Sequence, residues 1–352
     1  MATERTHSAR PEMDLATPQS AHEDFSDETI REATLADRQD VLDIDTNVYY
    51  GLDYLPSNYN DIIRNPQIKA NVYEKKGKMV GFFSARLVDG GQSLMTSSGR
   101  LGLDSRGGGM YGRFKKRVFE EWKDSPDLRY VTMAVTNYNF ESKRERLLRD
   151  YRQVLERDIT VIECNLQQIR SAVNSRQSSQ PQSQLQLLSY DDVNVMMRHQ
   201  PSQLRHLFPE DRILLQWCPL RILEVNTKEI FNGNEKILAN KPAEPMPTTV
   251  QPGKNFPVTF MSAGGHYSCK RGQNYHVDVY GSGSDEDLRE HMEWHLLRLA
   301  EVRADLDTAV LMVYHTRRVE DIVEKLKQDF SLQVSTAIPI RKVIALEMDY
   351  VK

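Results

Sequence analysis

The chain has few cysteines, no long apolar run and no excess of charge of one sign. Its three cysteines, Cys164, Cys218 and Cys269, lie far apart without a Cys-x-x-Cys spacing. They cannot all pair, which excludes a disulfide scaffold and points to a reducing compartment with structural or idle thiols. No window approaches the ~20 apolar residues needed to cross a bilayer. The opening Met1-Ala2-Thr3-Glu4-Arg5-Thr6-His7 lacks the apolar core of a secretory leader. A soluble, cytoplasmic protein is therefore expected. Net charge is −4 with both signs interspersed, which leaves no footprint for nucleic acid or an anionic membrane.

At 352 residues the chain exceeds one typical domain, so two are expected. Residues 1–27 are polar and read as a disordered tail. Residues 166–186, with Asn174-Ser175-Arg176-Gln177-Ser178-Ser179-Gln180-Pro181, read as a Gln/Ser-rich linker. Pro242, Pro245, Pro247, Pro252 and Pro257 mark a surface loop over roughly 240–256. These breaks leave a first domain at 28–165 and a second at 187–352.

In the first domain, Ile30–Ala33 reads as a strand and Leu35–Ile44 as a helix started by Thr34. Strands follow at 70–73 and 79–83, joined by Lys75-Lys76-Gly77-Lys78. Next come strand 93–103, helix 108–123, strand 130–135, a charged helix near 141–153 and strand 159–164. The second half echoes this order with a helix at 190–197, a strand at 275–280 and a helix at 286–303 burying Leu288, Met292, Leu296 and Leu299. Strand 309–313, helix 319–328 and strand 343–348 complete it. The fold class is α/β: a mixed sheet of mostly antiparallel strands, then β-α-β-α-β, with helices on both faces.

The richest stretch is Leu101-Gly102-Leu103-Asp104-Ser105-Arg106-Gly107-Gly108-Gly109-Met110-Tyr111-Gly112. It joins a strand to a helix whose Met110, Phe114, Val118 and Trp122 recur every four residues. Free N–H groups at a helix N-terminus, approached through glycines, hold phosphates. A dinucleotide fingerprint would come early in a parallel sheet with an acid ending the next strand, but that strand ends at Thr136-Asn137. A P-loop would need Gly-Lys-Ser/Thr, which is absent. A tight connection binding nothing is the bland alternative, yet three consecutive glycines cost backbone entropy.

The turn resembles the pyrophosphate loop, Arg/Gln-x-x-Gly-x-Gly/Ala, of the GNAT superfamily of acetyl-CoA-dependent N-acetyltransferases. Tyr50-Gly51-Leu52-Asp53-Tyr54-Leu55-Pro56-Ser57 and Asp150-Tyr151-Arg152 resemble the histidine N-acetyltransferase group within it. The likeness covers roughly 28–165 and is generic beyond. It implies acetyl-CoA as co-substrate, with Leu101 and Leu103 facing pantetheine and Arg106, Gly107, Gly108, Gly109, Met110 and Tyr111 offering N–H groups to the diphosphate. Tyr111 departs from the pattern's final Gly/Ala and would crowd the phosphate.

Acetyl transfer needs a neutral amine, donors for the oxyanion and a proton for the leaving thiolate. The resemblance implies glutamates on the two strands before the loop, where this chain has Phe83 and Ser97. Either another acid serves, with Asp53 and Asp104 as candidates, or a water chain does, or activity is lost; a bulge at Leu101–Leu103, permitted by Gly99 and Gly102, would aim N–H groups at the oxyanion. Tyr151 is the candidate proton donor or substrate wall, the plainer reading being a packing residue with a wet hydroxyl. Tyr49, Asp53 and Tyr54 would border the acceptor, with Asp53 either meeting its ammonium or, as a turn aspartate, capping its own backbone. His291 and His295 share a helix face but lack a third ligand, so no metal is expected and a half-buried border is the simpler reading. Arg113-Lys115-Lys116-Arg117 reads as a solvated face, or one member of it meets the cofactor's ribose phosphate. The second half has no phosphate loop, because Asp285, Glu286 and Asp287 follow its Gly281-Ser282-Gly283-Ser284. The expected function is acetyl transfer to a small amine such as an amino acid. The rival is a non-catalytic acetyl-CoA-binding protein, and a phosphoryl-transfer enzyme is a distant third.

Overall fold

The computed structural model describes residues 27–350 other than 107–108, 177–184, 216, 232–233, 243–244, 252, 303–304 and 317–318. The first half contributes β1 (Glu28–Glu32), β2 (Ile68–Lys75), β3 (Lys78–Val88), β4 (Ser93–Leu101), β5 (Tyr130–Thr136) and β6 (Arg152–Asn165). The second contributes β7 (Leu185–Leu187), β8 (Arg212–Leu215), β9 (Cys218–Arg221), β10 (Lys236–Asn240), β11 (Phe260–Cys269) and β12 (Gly272–Gly281). It continues with β13 (Thr308–His315), β14 (Gln333–Val334) and β15 (Lys342–Asp349).

All but β8 and β9 join one mixed sheet in the order β1-β2-β3-β4-β5-β15-β6-β13-β12-β11-β10-β7, with β14 also on β6. The α/β class and the doubled layout follow from this order. β1 to β4 are antiparallel and β4 meets β5 in parallel. In the second half β7, β10, β11 and β12 are antiparallel and β12 meets β13 in parallel. Each half is completed by a strand of the other. β15 lies between β5 and β6, while the far part of β6, Asp158–Asn165, pairs with β13. The sheet therefore does not divide at residue 165.

The linker reading of 166–186 needs correction. Leu166–Arg176 is a helix, with Leu166 and Ile169 fully buried against Leu296 and Leu299. Its apolar stripe is only one residue wide per turn, so the glutamines and serines between dominate the composition. Residues 177–184 of the supposed linker lie outside the described residues. In the 240–256 loop, Phe256 reaches the core.

The helix Met110–Glu120 packs on the sheet through Met110, Phe114 and Val118, with Trp122 just beyond its end, as the spacing requires. Each such burial stabilises by roughly 1.5–3 kcal/mol. The helix Asp285–Val302 buries its four expected apolar residues. The β8–β9 hairpin is tied to the sheet by Glu347 of β15. That carboxylate, 2% exposed, accepts from Arg152 at 2.6 Å, Arg212 at 2.8 Å and Arg221 at 2.7 Å.

Candidate active site

β4 and β5 pair only at Ser93–Tyr130, Leu94–Val131 and Met95–Thr132, then diverge. From Thr96 onward, that edge of β4 borders a cavity of about 1110 Å³. The register leaves Phe83 opposite both Ser98 and Gly99, so β4 carries a bulge there, with Ser98 at φ +56°. A bulge bends the strand and takes the extra residue out of the ladder. It sits slightly before Leu101–Leu103, where the sequence placed it.

At one end of the cavity the helix Met110–Glu120 begins after Gly109, whose φ of +73° suits glycine. Its first-turn N–H groups have no intrahelical acceptor. Gly107 and Gly108 lie outside the described residues. Arg106, Lys115, Lys143 and Arg146 line the cavity around this end. Arg146 Nη2 lies 3.6 Å from where a Cβ on Gly112 would stand. Partial burial, then repulsion by Arg106 and Arg146, pushes the Lys143 ammonium below its ordinary range. Clustered cations beside a helix N-terminus suit a diphosphate, so the residues present fit coenzyme A. The sequence reading missed Lys143 and Arg146, whose i, i+3 spacing on a charged helix was the available signal.

The predicted cofactor residues divide. Arg106 donates from Nε to the Leu101 carbonyl at 3.0 Å and from Nη2 to Asp45 at 3.0 Å. The Leu101 carbonyl is thus already engaged. Leu103 is 72% exposed at the cavity mouth, and Met110 turns its side chain into the core. The Tyr111 ring is directed at β3 and β4. Its ring packs on Phe83, and a Cβ on Gly99 would stand 2.6 Å from its hydroxyl.

Tyr151 follows the helix Arg144–Asp150 rather than sitting within a 141–153 helix, because its N–H ends the last turn on Leu147. It is 5% exposed, and Lys115 donates to its hydroxyl at 3.0 Å. Lys115 therefore faces the cavity and is not on the solvated face assigned to it. Ser97 pairs with the Ser84 hydroxyl at 2.9 Å, and Phe83 is a core ring against Tyr111, Phe114 and Phe119. Asp104 is exposed on a surface turn and does not line the cavity.

The role given to Asp53 is corrected. Both of its oxygens accept from Arg100 Nη2 at 3.1 Å, and one accepts from the Leu55 N–H at 3.0 Å. It fixes the 48–54 loop to β4 and is not free for a substrate ammonium. Arg100, missed in the sequence, is 6% exposed.

Tyr49 and Tyr54 do line the cavity, joined by Trp217 and Cys218 from the second half. The Tyr54 and Ser98 hydroxyls are 2.7 Å apart, and Tyr49 stacks on Trp217 with centroids 5.4 Å apart. Burial raises both tyrosine hydroxyls above their ordinary range, so they stay protonated. Tyr267 and Arg271 donate to the carbonyls of Leu52 and Tyr50 at 3.0 and 2.6 Å, so the second half braces this loop. Burial pushes the Cys218 and Cys164 thiols up to about 12, which keeps them unreactive.

His291 and His295 are fully buried, not at a half-buried border, because the Ser262 hydroxyl bonds them at 2.7 and 2.8 Å. Among the described residues no group of three or more His, Cys, Asp or Glu side chains could hold a metal ion. The second half's glycine cluster leads into a self-capped helix, with Ser284 N–H on Asp287 at 2.7 Å. No helix among the described residues is long and apolar enough to cross a membrane.

Residues 181–313 match the family described as histidine N-acetyltransferase, C-terminal. Histidine N-acetyltransferase of Xenopus tropicalis is 24% identical over 277 residues, covering 76% of this chain and 81% of that protein. Probable N-acetyltransferase 16 of Homo sapiens is 22% identical over 280 residues, covering 76% and 72%. A solved tandem GNAT protein from the clavulanic acid biosynthesis pathway covers 92% of this chain and 98% of its own at 10% identity, with a TM-score of 0.49. The chain is thus similar to the histidine N-acetyltransferases over about three quarters of its length, and its second half to their C-terminal region. The family match falls on the second half, where the sequence motifs offered only generic likeness, so the resemblance is not confined to 28–165.

Proposed function

We propose that the chain moves the acetyl group of acetyl-CoA to the amino group of a small molecule, histidine or another free amino acid. The observation that carries the reading is the split between β4 and β5, opening beside a helix N-terminus ringed by Arg106, Lys143 and Arg146. Acetyl-CoA supplies an acetyl group activated as a thioester. Arg146, Lys143, Arg106 and the first-turn N–H groups at Met110 and Tyr111 would hold its diphosphate. The unladdered backbone of the Ser98–Gly99 bulge offers donors for charge developing on oxygen. Tyr151 accepts from Lys115, which leaves its phenol proton for a departing thiolate.

Neither position assigned to a glutamate by resemblance carries a carboxylate, and Asp53 is committed to Arg100. The simplest reading is that the acceptor arrives as the free amine from solution. A non-catalytic acetyl-CoA-binding protein is the second reading, and the same two positions favour it. Thiol release from acetyl-CoA across a panel of free amino acids separates the readings, after calorimetry has established that acetyl-CoA binds. In the enzyme, kcat/KM should climb about tenfold per pH unit below the acceptor's own amine pKa. Binding without release for any amine would favour the second reading.

A further inference from the structure

Where β4 leaves β5, three successive hydroxyl residues, Thr96, Ser97 and Ser98, border the cavity. Two of them are engaged by the sheet. Thr96 donates to the Thr132 carbonyl at 3.4 Å, and the Ser97 and Ser84 hydroxyls lie 2.9 Å apart. Ser98 is directed elsewhere, with its hydroxyl 2.7 Å from that of Tyr54. Its backbone stands at φ +56°, a conformation sparse for any residue but glycine, and the bulge opposite Phe83 takes it out of the ladder. A glycine would meet that backbone demand without strain, yet the position carries a hydroxyl. Such outliers persist where the surroundings impose them, and they cluster at functional sites.

The imposition is visible. Adjacent residues of one loop are tied to alternate residues of β4, Asp53 to Arg100 and Tyr54 to Ser98. The Tyr54 ring also meets Tyr267 edge-on, with centroids 6.1 Å apart, and Tyr267 donates to the Leu52 carbonyl of the same loop. A phenol is the stronger acid of the two hydroxyls, and burial keeps this one protonated, so Tyr54 donates and the Ser98 oxygen accepts. That leaves the Ser98 proton for a third partner in the cavity. Ser98 stands about 10 Å along β4 from Leu101 at the phosphate end, on the way to the closed pairing at Met95–Thr132. A pantetheine arm reaching from the phosphates into the split would run past it. We infer that Ser98 is a catalytic residue of the acetyl transfer: its hydroxyl, aimed by Tyr54, donates to the thioester carbonyl oxygen. As the amine nitrogen bonds to the carbonyl carbon, the C=O pair moves onto oxygen and Ser98 meets the charge. The carbonyl then re-forms, the C–S bond breaks, sulfur takes the Tyr151 proton and the nitrogen loses one to water. Ser98 keeps its own proton throughout. The inference rests on the acetyl-transfer reading and adds a side-chain donor to the backbone donors of the bulge.

The test reads the carbonyl directly. Infrared difference spectra of acetyl-CoA with an isotope-labelled carbonyl, bound to the full chain, should place the thioester stretch at lower frequency in wild type than in S98G, with Y54F between them. S98G should also lower kcat about 100-fold while acetyl-CoA affinity stays within about twofold. Its melting temperature should be no lower than that of wild type, because glycine accepts φ +56°. S98A, which keeps the strain, should lose kcat to the same extent. A merely structural role for Ser98 would move affinity or melting temperature in S98G and leave the carbonyl frequency alone. Equal frequencies in wild type and S98G overturn the inference, whatever the rates do. If no amine is acetylated, a frequency difference that S98G removes upholds Ser98 as the carbonyl donor while the transfer reading falls. If acetyl-CoA does not bind, both fall.

Discussion

Reversing the charge of Arg146 probes the phosphate end directly. Its guanidinium reaches the first turn of the helix Met110–Glu120, 3.6 Å from a Cβ position on Gly112. Opposite unit charges about 5 Å apart are worth about 3 kcal/mol at an effective dielectric of about 20, and under 1 kcal/mol in bulk water. Arg146 is exposed at the cavity rim, so the lower part of that range applies, about 1 kcal/mol. R146Q should then weaken coenzyme A binding about 5-fold and R146E about 30-fold. Isothermal titration at low salt measures both, and the gap should narrow at about 0.5 M salt as screening shortens. Arg144, paired with Glu141 at 3.2 Å and outside the cavity lining, provides the control. R144E should bind within about twofold of wild type. Equal affinities for R146E and wild type, or an equal loss in R144E, would refute the site. A substitution at Gly109 is a poorer probe, since its φ of +73° strains any side chain.

Three further outcomes follow from the geometry. Y151F should lower kcat about 100-fold or more while leaving acetyl-CoA affinity within about twofold, in steady-state and binding assays; equal losses in both would make Tyr151 a wall and not a proton donor. E347Q leaves Arg212 with one weakened partner, while Arg221 keeps Asp89, and should cost about 3–5 kcal/mol in urea unfolding; a loss below about 1 kcal/mol refutes the anchoring role. Burial pushes the His276 imidazole down to about 3 from its ordinary 6.5, so the native state holds it neutral while the unfolded chain takes up a proton. Its contribution therefore falls as pH drops from about 6.5 towards 3. H276L should flatten the decline of melting temperature over that window, and an unchanged slope would contradict the assignment.

The start of a helix at Met110, its four-residue apolar spacing and the alternating elements were legible because each is encoded locally. The side chains that organise the cleft were not. Arg100 reads as an ordinary strand arginine until Asp53 is folded onto it, and Lys143 and Arg146 read as solvated charge until they meet Arg106. Trp217 follows a stretch with no catalytic motif, and its place in the cleft depends on Glu347, 130 residues further along. Asp53 was found in the right loop with the wrong partner. Periodicity specifies which face of an element is buried, but it carries no record of which distant charge the face will meet. The Leu166–Arg176 helix was lost for a related reason, since composition averaged away a stripe of so few apolar residues.

The exchange of β6 and β15 bears on how the molecule is made. A ribosome delivers the loop, the glycine turn and Tyr151 early, yet the strand that lies between β5 and β6 follows only after the entire second half. Until then the nascent first half presents two unpaired strand edges, and it must wait or be sheltered. The cleft's sheet is accordingly closed last, by a strand encoded some two hundred codons downstream of the loop it supports.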